Sequence, residues 1–205
     1  MGRDGFEMIL FTIFGFLLGS IPFSLIFTRL IVKKNLREIG DGNPGGTNAV
    51  KAGGAKVGIP SIICDIGKGF LPVYLAKKYG VTGMDLIPVG LAPILGHAFS
   101  PFLKFHGGKS LGATGGVWVG LIGFWAFPVY ASLALPFTLL QTEDAWSANA
   151  GMISLVSYSL LFGPKWMVIF SVLNTLLIIY THRHDLVRTP HFRPWLIRFL
   201  QGREA

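Results

Sequence analysis

Long apolar runs alternate along this chain with short polar stretches rich in glycine. The apolar runs are Phe6 to Val32, Gly54 to Ala76, Leu86 to Phe102, Val117 to Tyr130, Ala131 to Gln141, Ala150 to Phe162 and Trp166 to Thr181. A helix needs about 20 apolar residues to cross a bilayer core, so the shorter runs must be completed by semi-polar flanks. The pattern predicts seven helices. The boundary between the fourth and fifth is set at Phe127, Pro128 and Val129, because an uninterrupted helix from Val117 to Gln141 would be too long for one comfortable span.

Composition sharpens that reading. The chain has 205 residues, of which 51% are hydrophobic and only 14% charged. Its mean hydropathy is +0.56, too apolar for an ordinary soluble domain of this length. An all-α, polytopic membrane helix bundle follows, as a single integral membrane domain over residues 1–205 without internal repeats or low-complexity runs. The first apolar run is too long for a signal-peptide core and lacks a convincing cleavage site, so it reads as a retained helix.

Orientation comes from the basic residues. With the N-terminus outside, the inner segments hold Lys33, Lys34, Arg37, Lys51, Lys56, Lys104, Lys109, Arg183, Arg188, Arg193, Arg198 and Arg203, against Arg3, Lys77, Lys78 and Lys165 outside. That asymmetry places the C-terminus in the cytoplasm. The net charge of +8 lies beside apolar helices on one face and is no nucleic-acid signal. Residues 189–205, with "PWLIRFLQGR" alternating apolar and basic positions, suit a short interfacial helix on anionic lipid. A lone cysteine, Cys64, falls in the second run, which leaves no disulfide framework and no metal cluster.

Under this topology three polar stretches share the cytoplasmic side: "GDGNPGGTNAVKAGG" (Gly40 to Gly54), "KFHGGKSLGATGG" (Lys104 to Gly116) and "THRHDLVR" (Thr181 to Arg188). Each combines flexible backbone N–H groups with amide or hydroxyl side chains and fixed positive charge, which is what anion binding needs. "FHGGKSLGATGG" is not a nucleotide phosphate loop: position 103 is leucine where a glycine is required, and the flanks are apolar. Lys109 stands between Gly108 and Ser110, and a lysine wanted only for orientation does not need glycines beside it. Asn43, Thr47 and Asn48 are substrate contacts or a helix cap after Pro44. His97 is equally well read as a hydrogen-bonded structural histidine. Asp65 and Lys68 lie three apart inside an apolar helix, where pairing is the first reading.

These stretches resemble the bacterial acyl-phosphate:glycerol-3-phosphate acyltransferases, the PlsY family. "GNPGGTN" is similar to that family's GNxGATN at Asn43, Gly45, Thr47 and Asn48. "GHAFSPFLKFHGGKS" resembles GHxFPxFLxFxGGKG at Gly96, His97, Phe99, Phe102, Leu103, Phe105, Gly107, Gly108 and Lys109. "DIGKGFLP" matches DxxKGxxP at Asp65, Lys68, Gly69 and Pro72, and "HRHDLVR" matches HRENIxR at His182, Arg183 and Arg188. The resemblance runs from end to end and in order. It has departures: Ser110 and Leu111 replace the usual glycine-valine, with one extra residue before Ala113 and Thr114, and His184 and Asp185 replace Glu-Asn. Glu143 and Asp144 stand where the family presents an arginine and a tyrosine, while Ser147 can supply its serine. Losing an arginine and gaining two acids should weaken phosphate binding.

The resemblance implies transfer of a fatty acyl group from acyl phosphate to the 1-hydroxyl of glycerol 3-phosphate, giving lysophosphatidate, in a bacterial inner membrane crossed several times. It implies catalytic roles for His182, Asn48 and Lys109. Substrate contacts fall to Asn43, Gly45, Gly46, Thr47, Lys104, Gly107, Gly108, Ser110, Thr114, Ser147, Arg183 and Arg188. The expected partners are the two substrates and membrane lipids, with no nucleic acid, metal or cofactor. No motif pairs a serine or cysteine nucleophile with a histidine, and no His-x4-Asp signature is present. An activated mixed anhydride chiefly needs positioning, worth up to about 7 to 11 kcal/mol of barrier. The competing readings are an anion transporter or channel, for which Pro22, Pro60 and Pro72 would suit broken helices, and a paralogue acylating another phosphorylated acceptor.

Overall fold

The computed structural model describes the backbone of residues 3–200, and the described residues are helical apart from short connectors and one isolated β-bridge. In chain order the helices are α1 (Arg3–Ser20), α2 (Phe23–Phe27), α3 (Gly46–Gly53), α4 (Ala55–Lys78), α5 (Leu86–Ala98), α6 (Leu111–Ile122), α7 (Ala126–Leu140), α8 (Asp144–Phe162), α9 (Lys165–Leu186) and α10 (Pro194–Leu200). Among the described residues, five helical stretches have the length and composition to cross a membrane: Gly5–Val32, Ala55–Lys78, Gly83–Leu103, Leu111–Leu140 and Lys165–Leu186.

The helical breaks differ from the expected ones. The first apolar run is interrupted at Ile21 and Pro22, then resumes as α2 and a wider π-turn over Thr28–Val32 that ends at Lys33 in the left-handed conformation. Further on, the expected break at Phe127, Pro128 and Val129 is absent, since α7 runs continuously through them. The chain breaks instead at Gly123 (φ +74), a conformation glycine adopts without a β-carbon clash. Pro128 is tolerated because it lies in the first turn of α7, where a helix has no intrahelical acceptor for the missing N–H. α8 begins at Asp144, six residues before the apolar run, with an acid in its first turn where the helix dipole favours negative charge.

Two compact units are formed by residues 1–124 and 125–205. In the first, α1 packs on α5 and α4 on α6. The α4–α6 contact is close because it is glycine-lined: a β-carbon on Gly69 would collide with the Ala113 carbonyl, and one on Gly116 with the Ile66 carbonyl. In the second, α7 packs on α8 and α8 on α9. There the stretch after α9 returns along the α7–α8 connector: Arg193 N–H donates to Leu140 O (3.0 Å), Thr142 N–H to His191 O (3.0 Å), and Arg193 Nε to Thr138 O (2.7 Å). Within the stretch expected as a tail, residues 194–200 form α10; the last residues of that stretch, including Arg203, lie outside the described residues.

Candidate anion site at the glycine-rich loops

The first unit brings two of the three polar stretches together. Residues 40–54 form a turn and then α3; residues 104–110 form a tight loop between α5 and α6. Arg37 ties them from outside, donating through Nη1 to Gly42 O (3.2 Å) and through Nη2 to His106 O. Across the junction the Lys109 ammonium meets Asp41 Oδ2 at 2.6 Å. Asp41 Oδ1 accepts from the Asn48 side-chain amide at 2.6 Å and from Asn43 N–H at 3.2 Å, while Asn48 Nδ2 also reaches Asn43 O at 3.0 Å. Burial alone would raise the Asp41 carboxyl, but the bonds from Lys109, Asn48 and Asn43 outweigh it and hold the group down at about 2.

This geometry replaces the capping alternative. The N-cap position of α3 is Gly45, with Gly46 opening the helix, and no side chain caps it. Asn48 is buried and spends its amide on Asp41, whereas Thr47 faces solvent. Asp41 was not among the expected site residues. Its one sequence signal is an acid between two glycines, directly before the Asn43 motif.

The second loop is built on the end of α5. Gly107 and Gly108 donate their N–H groups to Ala98 O and His97 O, both at 3.0 Å, and a β-carbon on Gly108 would collide with His97 Nε2. The glycine pair thus lets the loop lie flat on the helix end. Ser110, at φ +63, turns the chain into α6, and its buried hydroxyl donates to Ile94 O at 3.0 Å. That conformation explains why the family pattern has glycine there. Thr114 is buried one turn into α6. Lys104 sits at φ +52 and is exposed, with no side-chain hydrogen bond or ion pair among the described residues.

Beneath the loops lies a buried polar cluster. Lys68 Nζ stands 2.8 Å from Asp65 Oδ1 and 3.0 Å from Ile21 O, and Ser24 donates to Asp65 Oδ2 at 3.2 Å. His97 Nδ1 is 3.8 Å from Asp65 Oδ1, too far for a hydrogen bond. The Asp65–Lys68 pair forms as its spacing predicts, and His97 acts as a packing floor for Gly108.

The remaining expected residues belong to the second unit. His182 is buried on α9, its Nδ1 2.9 Å from Ile178 O. A carbonyl only accepts, so in the neutral ring Nδ1 carries the proton and Nε2 is the basic nitrogen. Arg183 is exposed over the Tyr180 ring, 4.2 Å from its centroid. Arg188 Nη1 lies 3.9 Å from Asp185 Oδ1, and Trp146 Nε1 donates to Arg188 O at 3.1 Å. Ser147 is buried in the first turns of α8 and accepts from Gln141 Nε2 at 2.8 Å.

Residues 9–191 match the family model described as glycerol-3-phosphate acyltransferase. The chain belongs to that family. A glycerol-3-phosphate acyltransferase of Pelagibacter ubique is 34% identical over 182 residues, covering 89% of this chain and 93% of that protein. One from Endomicrobium trichonymphae is 36% identical over 181 residues, covering 88% and 90%. Among solved structures, PlsY, an integral membrane glycerol 3-phosphate acyltransferase, matches in its glycerol 3-phosphate form with a TM-score of 0.77 and 30% identity, over 97% of this chain and 94% of that one. Its lysophosphatidic acid form matches at 0.74 and 28%. The likeness to an integral membrane acyltransferase, beside five apolar helical stretches, makes this chain a multi-pass membrane protein. None of these similarities supports the transporter or channel reading.

Proposed function

We propose that this protein transfers a fatty acyl group from acyl phosphate to the 1-hydroxyl of glycerol 3-phosphate, forming lysophosphatidate at the cytoplasmic face of a bacterial inner membrane. The supporting observation is that the family match runs over residues 9–191, through both glycine-rich loops, and that where those loops meet stands a lysine already engaging an anion. Lys109 holds a substrate phosphate, with Asn43, Gly46, Thr47 and Thr114 beside it as N–H or hydroxyl groups, while Gly45, Gly107, Gly108 and Ser110, whose own bonds go to Asn43 O, Ala98 O, His97 O and Ile94 O, shape the loops around it. Asp41 occupies the lysine until substrate arrives, so binding is an exchange of one anion for another.

In the reaction the glycerol oxygen attacks the acyl carbon, the carbon–oxygen bond to phosphate breaks, and inorganic phosphate departs. The hydroxyl proton passes to that phosphate or to a base, the role that the family resemblance gives His182. Asn48 adds its amide at the Lys109 loops, and the resemblance gives Ser147, Arg183 and Arg188, which belong to the second unit, substrate contacts of their own. An acyl phosphate needs no covalent acyl-enzyme step, in keeping with the lack of a nucleophile–base pair at the motifs. The test is to give the purified protein labelled glycerol 3-phosphate with acyl phosphate, acyl-CoA or acyl carrier protein at equal concentration. Fastest product formation from acyl phosphate is expected; faster acylation from either thioester overturns the donor assignment.

A further inference from the structure

A second basic feature lies away from the Lys109 loop, at the Val32 end of the first apolar stretch. A cavity of about 580 Å³ opens there, walled by Pro22, Leu25, Ile26, Leu36 and Leu103 and rimmed by Arg29, Lys33 and Lys34. Its size falls within the roughly 300–1,000 Å³ of small-molecule sites. The rim cations differ in their commitments. Lys34 donates to Ala52 O at 3.1 Å, whereas Arg29 and Lys33 are exposed and have neither a hydrogen bond nor an ion pair from their side chains among the described residues. Local backbone is unusual at the same place: Arg29 lies in the π-turn and Lys33 ends it at φ +54. Such turns recur at functional sites.

We propose that this cavity holds one anionic phospholipid of the surrounding bilayer, its phosphate on Arg29 and Lys33 and the upper part of an acyl chain along Leu25, Ile26 and Leu103. The occupant follows from the lining. Two uncommitted cations select against a zwitterionic or cationic head, and apolar walls would stay wet around a free phosphate. The position is that of a headgroup, since Arg29 lies in the last turn of a stretch long enough to cross the bilayer and Lys33 directly follows it. Ordinary anchoring of basic residues at a membrane boundary explains the charges but not a walled cavity beneath them. This binding is independent of acyl transfer, and its readout involves no turnover.

The test is native mass spectrometry of the full-length protein extracted with equal amounts of phosphatidylglycerol and phosphatidylcholine bearing the same chains. The wild type should retain one phosphatidylglycerol with roughly 25-fold preference, about fivefold from each of the two cations. Each of Arg29→Gln and Lys33→Gln should reduce that preference roughly fivefold, from the contribution of a single cation near an anionic headgroup. Lys78→Gln, at the far end of α4, should leave it unchanged. Because both rim residues are exposed, thermal unfolding of the variants should match the wild type, separating lost binding from lost fold. Equal retention of both lipids by the wild type overturns the proposal, as does undiminished preference in the two rim variants. Displacement by inorganic phosphate at equal concentration would assign the site to a free anion, and stronger retention of lysophosphatidate would assign it to product; either overturns a bilayer lipid as the occupant.

Discussion

Two aspartate–lysine pairs lie in the same unit and do opposite work. Asp65 and Lys68 are three residues apart on α4, with side chains only 6% and 1% exposed and contacts at 2.8 Å to one another, with Ser24 and Ile21 closing the shell. Asp41 and Lys109 are far apart in sequence, 40% and 27% exposed, and meet at 2.6 Å across two loops. The buried pair cannot be exchanged for anything, because separating it strands a charge in an apolar helix. The exposed pair can open, since water and an incoming phosphate both compensate its members. Chemistry of the same type is therefore structural at one site and exchangeable at the other, and burial decides which.

The largest expected effect comes from breaking the buried pair. Lys68→Ala leaves Asp65 without its counter-charge and should destabilise the protein by about 3 to 5 kcal/mol, as for other broken buried pairs. Thermal unfolding in detergent checks this; a transition unchanged from the wild type would show that the cluster does not hold α4 in place.

A smaller and opposite effect is expected at the exposed pair. Asp41→Asn frees Lys109 from its resident anion and should lower the KM for the phosphate-bearing substrate several-fold, with only a modest loss of stability because the pair is partly exposed. A raised KM would mean that Asp41 orients the lysine for substrate instead of competing for it. The pH dependence has a definite sign. A carboxyl held at about 2, against an ordinary value of 3.8, contributes stability that is fully present above about pH 4 and is lost as pH falls toward 2. Asp41→Asn should therefore remove that contribution across the neutral range, a loss kept modest by solvent screening of this partly exposed group, and flatten the acid limb so that the two profiles converge as pH falls toward 2.

How much of this was readable beforehand divides along the same line. Lys109 and its glycines announce themselves through residue types in one short stretch, and the Asp65–Lys68 spacing predicts its own pairing through helical geometry. The Asp41 contact does not, because it joins positions 41 and 109, and only the tertiary packing of the loops brings them together. The helix boundary after α6 failed for a local reason: Phe127, Pro128 and Val129 looked like a turn, yet proline is compatible with a first helical turn while Gly123 takes the left-handed backbone. The left-handed conformation of Ser110 was also hidden, since serine gives no sign of it.

Ser110 supplies the finest adjustment. Ser110→Gly relieves a backbone conformation that costs an L-residue about 1 to 2 kcal/mol, and removes a hydroxyl bond to Ile94 O worth about 1 kcal/mol. The two nearly cancel, so stability should shift by under about 1 kcal/mol; a clear loss of stability would show that the buried hydroxyl, and not the backbone, governs this turn.

The claim on which the account turns is that Lys109 holds a substrate phosphate by exchanging it for Asp41. Its most direct test is Lys109→Ala, with turnover of labelled glycerol 3-phosphate and thermal unfolding measured on the same preparation. A charge-assisted contact to phosphate is worth about 1.5 to 3 kcal/mol, so the account predicts acyl transfer reduced at least tenfold with the unfolding transition preserved. Full activity in a folded Lys109→Ala protein would contradict it.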